Sequence, residues 1–130
     1  MKHINLTAAL VLILTSSIMA QDPAKTDSDK YSVVLENERV RVFEYKDKPG
    51  DRTTMHQHPD FVLYAVSPFK RKLTFPDGKV VIRDFKAGEV IYMKAQKHIG
   101  ENIGETDTHV MIVELKGGAK HAKSKKGMRK

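Results

Sequence analysis

The side chains of this 130-residue protein best suited to chemistry are its histidines, because the chain contains no cysteine. That absence excludes disulfide scaffolds, Cys-ligated zinc or iron–sulfur sites and thiol catalysis. Of the six histidines, His56 and His58 stand two apart in an extended run, and His98 follows forty residues after His58. On a strand, residues two apart face the same side, so these imidazoles lie about 6–7 Å apart along the backbone. A third histidine from a neighbouring strand completes a three-nitrogen metal site with positions open for water or substrate. Two exposed polar residues on a strand have the same spacing, so the pair alone does not decide the matter. His3 and His121 fall near the two ends, and His109 opens the last strand without a sequence partner, as a surface or rim residue would. Other chemistries find little support. Asp51 and Glu101 have no paired acid or base in sequence, and neither a nucleophile elbow nor a Gly-rich phosphate loop is present.

The elements that must position these histidines are short strands. Residues 31–36, 40–46, 52–58, 61–66, 73–75, 79–85, 89–93 and 108–115 alternate or are rich in β-branched residues. Turn signals separate them, of which Pro76-Asp77-Gly78 is the strongest. No segment keeps a 3.6-residue period. About nine short strands at roughly ten-residue spacing predict an all-β domain, a sandwich or a closed barrel, over residues 31–115.

The ends read differently. Residues 1–20 combine Lys2, an apolar run from Ala8 to Leu14 and the small residue Ala20, the pattern of a cleaved secretory signal. The apolar run is short for a membrane span, and an uncleaved anchor is the competing reading. Export makes the expected location periplasmic or secreted. Residues 21–30 are polar and read as a linker. Residues 116–130 hold seven basic side chains and no acid, and predict a disordered basic tail able to contact anionic envelope surfaces. The formal charge of +7 therefore misleads, since residues 21–115 carry fifteen basic and sixteen acidic side chains. The folded region gives no electrostatic reason to expect a specific nucleic-acid partner.

Two stretches of sequence resemble motifs of the cupin superfamily. Gly50-x(5)-His56-x-His58-Pro59, followed by an apolar strand, resembles G-x(5)-H-x-H-x(3,4)-E-x(6)-G. Gly88 through His98-x(3)-Asn102 resembles G-x(5)-P-x-G-x(2)-H-x(3)-N, one residue short between Gly and His. The resemblance implies a jelly-roll β-barrel with His56, His58 and His98 as metal ligands and Asn102 as a motif position near the last strands. It also implies a homodimer, since cupins are often paired through the N-terminal strand. The motif glutamate is missing, because Val62 and Leu63 occupy its place. Three neutral imidazoles without a carboxylate suit Fe, Ni, Cu or Zn better than Mn or Mg. Asp60, Gln96 and Tyr64 are candidates for a substitute fourth group by strand parity. Arg52, Tyr64 and Tyr92 are candidates to bind an anionic or ring-shaped small molecule inside the barrel. Met55 and Met93 flank the histidine strands, as core packing or as soft donors.

Three functions follow from this resemblance. The first is a metal-dependent oxygenase or isomerase-like enzyme acting on a small molecule. The second is a non-catalytic module holding a ligand or a metal. The third is a barrel that lost its metal with the glutamate and serves a structural role.

Overall fold

A computed structural model of the protein describes residues 21–117. The expected signal (1–20) and all but the first two residues of the expected basic tail lie outside the described residues. Nine strands form in order: β1 (Tyr31–Glu36), β2 (Val40–Asp47), β3 (His56–His58), β4 (Phe61–Ala65), β5 (Phe69–Thr74), β6 (Val80–Phe85), β7 (Val90–Met93), β8 (Gln96–Asn102) and β9 (Thr108–Leu115). They make two antiparallel sheets, β1-β2-β9-β4-β7 and β3-β8-β5-β6. The all-β jelly roll is as expected. The hydrogen-bonded ladder is not a closed barrel, however, because the two sheets face each other without a strand pairing across the gap among the described residues.

Alternation decides what fills that gap. Along β9, Thr108, Val110, Ile112 and Glu114 point inward, while the residues between them are half-buried. Along β4, the inward set is Phe61, Leu63 and Ala65. With Phe43 and Tyr45 of β2 they form the core, against which Phe69 and Phe85 stack from the opposite sheet, rings 4.5 Å apart and 8° from parallel. Burying such side chains contributes about 1.5–3 kcal/mol each.

One strand was not foreseen. β8 carries His98, yet its inward residues are His98, Gly100 and Asn102, none of them apolar. A strand whose buried face is polar lacks the hydrophobic alternation by which strands are found.

The linker reading of 21–30 also gives way. Pro23–Thr26 form a short helix, α1, capped by the Asp22 side chain on Ala24 N. Asp22 then grips the Arg41 guanidinium through two bonds of 3.0 Å. Asp27 is buried and accepts from Thr54 N at 2.8 Å. Acidic residues that look like solvated linker composition are here the partners of groups on β2 and in the loop before β3, a long-range pairing that local composition does not reveal.

Candidate metal centre

β3 and β8 pair antiparallel, with His56 directly opposite His98 and His58 opposite Gln96. Strand parity puts His56 and His58 on the inner face, and the register adds His98. All three rings are buried, with relative exposures of 0, 1 and 6%. Their centroids are 4.8 Å (His56–His58), 4.8 Å (His56–His98) and 5.4 Å (His58–His98) apart. One nitrogen from each lies within 4.8 Å of the others. Ligands about 2.1 Å from one ion stand roughly 3.0–3.4 Å apart, so binding would draw the three nitrogens closer together.

The hydrogen bonds select which nitrogens are available. His56 Nδ1 donates to the Thr54 carbonyl at 2.8 Å. His58 Nδ1 donates to Glu114 Oε1 at 2.7 Å. His98 Nδ1 donates to Gln96 Oε1 at 3.3 Å. With every Nδ1 facing an acceptor, the lone pairs sit on the three Nε2 atoms, as in metal-binding histidines whose second nitrogen is anchored. Burial, then the neighbouring His58, lowers the pKa of His56 to about 4. Burial, then His56 and His58, lowers that of His98 to about 2. Both rings are therefore neutral at physiological pH, the form that ligates a metal. The donor set fits a borderline transition metal.

Glu114 supplies a carboxylate that motif spacing does not reveal. It is 3% exposed, and Arg41 Nε donates to its Oε2 at 3.0 Å while His58 holds its Oε1. The inward side chain of β4 is Leu63, an apolar wall where the superfamily motif carries its glutamate. The acid sits instead across the sheet on β9, paired with Phe61, and acts on His58 rather than directly on an ion. Strand parity with Val110 and Ile112 was the available signal. Glu114→Gln is expected to keep the fold and weaken metal affinity by about 10–100-fold, measured by competition with a chelator.

The other sequence candidates are distributed as follows. Gln96 stays beside the centre, on His98 Nδ1. Tyr64 does not enter the cavity: it is 43% exposed, because inward Phe61 and Leu63 put it on the outer face. Tyr92 is on the same outer side, 57% exposed on β7 at the sheet edge. Asp60 accepts from Tyr92 Oη at 2.6 Å and Ala95 N at 2.7 Å, pinning a surface turn and not joining the histidines. Arg52 is exposed in the loop before β3 and meets Glu101 through a backbone bridge. Asn102 is buried but structural: its amide donates to the Thr106 carbonyl at 2.9 Å and Asp47 Oδ1 at 3.1 Å. His109 is half-buried, paired with Glu44 at 2.8 Å.

The arginine inside is Arg71, which sequence reasoning passed over in a lysine-rich stretch of β5. It lies beside a cavity of about 150 Å³ bordered also by His58, His98, Leu63, Met93 and Phe85. Its guanidinium donates to Asp47 Oδ2 at 2.7 Å and Tyr45 Oη at 2.9 Å. A side chain at Gly100 would collide with it, since a Cβ there falls 2.4 Å from a guanidinium nitrogen. The cavity thus combines mostly apolar walls, two histidines and one neutralised cation. Its volume is on the scale of a single aromatic ring.

No protein-family model matches the chain, and no curated protein does. Solved structures do. A cupin domain from Bordetella pertussis Tohama I is 27% identical, with a TM-score of 0.62 over 67% of this chain and 92% of that one. A conserved double-stranded β-helix protein from Klebsiella pneumoniae is 23% identical, with a TM-score of 0.55 over 79% of this chain and 90% of that one. An RmlC-like cupin family protein from Methanocaldococcus jannaschii is 16% identical, with a TM-score of 0.55 over 71% and 84%. Two facing sheets of cupin topology, with three inward histidines at the motif positions, give this chain the fold of the cupin superfamily.

Proposed function

We propose that the protein is an exported, mononuclear metal-dependent cupin that acts on a small molecule, as an oxygenase or an isomerase-like enzyme. The observation that carries the reading is the convergence of three buried, Nδ1-anchored histidines beside a small, largely apolar cavity. His56, His58 and His98 would hold the ion through Nε2. A bound Fe, Ni, Cu or Zn ion supplies Lewis-acid polarisation or, for the redox metals, access to dioxygen chemistry. Glu114 keeps the His58 ring oriented and basic, with Arg41 fixing the carboxylate. Leu63, Phe85 and Met93 exclude water and select a compact apolar body. Arg71, held by Asp47 and Tyr45, offers a fixed positive field toward an electron-rich group on the substrate. The apparent loss of the motif glutamate does not speak against a metal, because a buried carboxylate reaches the centre through His58.

The test uses the protein without a His-tag, reconstituted with Fe, Ni, Cu or Zn and analysed for bound metal. One ion per chain is expected. His56→Ala and His98→Ala are each expected to lower affinity by more than the roughly 100-fold that outer partners of a ligand contribute. Absence of stoichiometric metal in the unsubstituted protein would overturn the proposal. Oxygen uptake with small thiols or diols then separates an oxygenase from a metal-dependent isomerase.

A further inference from the structure

Tyr31 opens β1, and its hydroxyl lies 3.1 Å from His56 Nε2, the nitrogen left free to bind a metal. Because His56 Nδ1 carries its proton toward Thr54, Nε2 is the acceptor and the phenol donates. An ion at the three histidines takes the same lone pair, so phenol and metal cannot both have it. Once displaced, the Tyr31 hydroxyl loses the only hydrogen bond it makes among the described residues. It is 6% exposed, and an unpaired buried hydroxyl is expensive.

The distance itself suggests how that conflict is resolved. Two donors each about 2.1 Å from one ion are about 3.0 Å apart at a right angle and about 3.4 Å apart at the tetrahedral angle. The 3.1 Å between Tyr31 Oη and His56 Nε2 falls between these values. The two atoms are thus already as far apart as two ligands of one ion, which would sit off the line that joins them. The ring has little freedom to retreat, being packed 4.5 Å from Tyr45 and 5.4 Å from Phe43, centroid to centroid.

Its placement is also built. Tyr31 N donates to the Asp27 carbonyl at 3.0 Å, and the Asp27 side chain accepts from Thr54 N. The Thr54 carbonyl in turn holds His56 Nδ1. One buried aspartate therefore ties the tyrosine and the histidine to a common anchor. Charge gives a further reason. A divalent ion held by imidazoles alone brings uncompensated charge into a buried site, which is unfavourable, and Glu114 is already shared with Arg41.

We propose that Tyr31 Oη is the fourth protein ligand of the metal, contributing the anionic donor that Leu63 does not. On binding, the phenolic O–H bond breaks heterolytically, its proton leaves to solvent, and an oxygen lone pair bonds the ion. No electrons are exchanged. A bound cation drives such deprotonation in a site that otherwise keeps the group neutral. The inference rests on the metal reading above and goes beyond it in naming the donor set, three imidazoles and one phenolate.

Copper(II) is the probe. The full chain and Tyr31→Phe are loaded with Cu(II), with uptake measured separately from spectra. The unsubstituted protein is expected to show a visible phenolate-to-copper charge-transfer band and phenolate modes in resonance Raman. Tyr31→Phe is expected to retain three-histidine copper binding at least about tenfold weaker and to lose both signals. Tyr45→Phe, which removes the other buried phenol, is expected to keep the band and provides the assignment if Tyr31→Phe folds poorly. Stoichiometric copper without the band, or a band that survives Tyr31→Phe, overturns the inference while leaving the metal reading intact. Failure of the unsubstituted protein to bind any of the four metals overturns both.

Discussion

Acidification from about pH 6.5 to pH 4.5 is expected to destabilise the metal-free protein by on the order of 5 kcal/mol. The cause is the pair of buried, neutral histidines. Folding holds the pKa of His56 at about 4 and that of His98 at about 2, whereas both rings titrate near 6.5 once unfolded. Below about pH 6.5 the unfolded chain therefore binds protons that the folded chain refuses, and stability falls as pH falls. Each ring contributes up to about 1.4 kcal/mol per pH unit. The loss from His56 levels off near pH 4, while that from His98 continues toward pH 2. A change of this size rivals the whole stability of a small domain, about 5–15 kcal/mol. Urea denaturation of chelator-treated protein at several pH values measures it directly. A midpoint unchanged between pH 6.5 and 4.5 would show that the histidines are solvated. Ligation also opposes protonation, so saturating metal should raise the midpoint at neutral pH and lose that effect in acid.

Asp47→Ala is expected to lower stability by about 3–5 kcal/mol, the range for removing one partner of a buried ion pair. The Asp47 side chain is fully buried and accepts from Arg71, Tyr45 and Asn102. Its loss strands the Arg71 guanidinium in a low-dielectric interior and frees the Asn102 amide from one of its contacts. Arg71→Met should be milder than Asp47→Ala, because the Asp47 carboxylate it leaves behind still accepts from Tyr45 and Asn102. Equilibrium unfolding at neutral pH measures both. Equal losses would show that packing, not charge, dominates at this position.

The three-histidine site is legible in sequence where it depends on strand periodicity. His56 and His58 share a face because they are two apart, and that held. His98 was reached through resemblance, since β8 buries His98, Gly100 and Asn102 and offers no apolar alternation of its own. Of the three candidate substitutes for the missing glutamate, Gln96 lies beside His98, while Asp60 and Tyr64 fall away because strand parity does not continue across Pro59 and the turn. Asp60 sits in that turn, and the restart of β4 at Phe61 sends Tyr64 outward.

The sequence by itself determined the all-β class, the strand-forming segments with turns between them, the near-neutrality of the region that folds and the absence of thiolate ligands. These follow from composition and from a two-residue period, which are local. Only the tertiary structure decided which charged side chains turn inward. Glu114, Arg71, Asp47, Asp22 and Asp27 look like solvated surface in sequence, yet each finds its partner on another strand or segment. A buried charge is tolerated only with such a partner, and the partner is chosen by sheet register and packing between distant segments. Tyr31 belongs with them. Nothing around it in sequence points to His56, and the approach exists only because the N-terminal segment folds back through Asp27 onto the strand that carries the histidines.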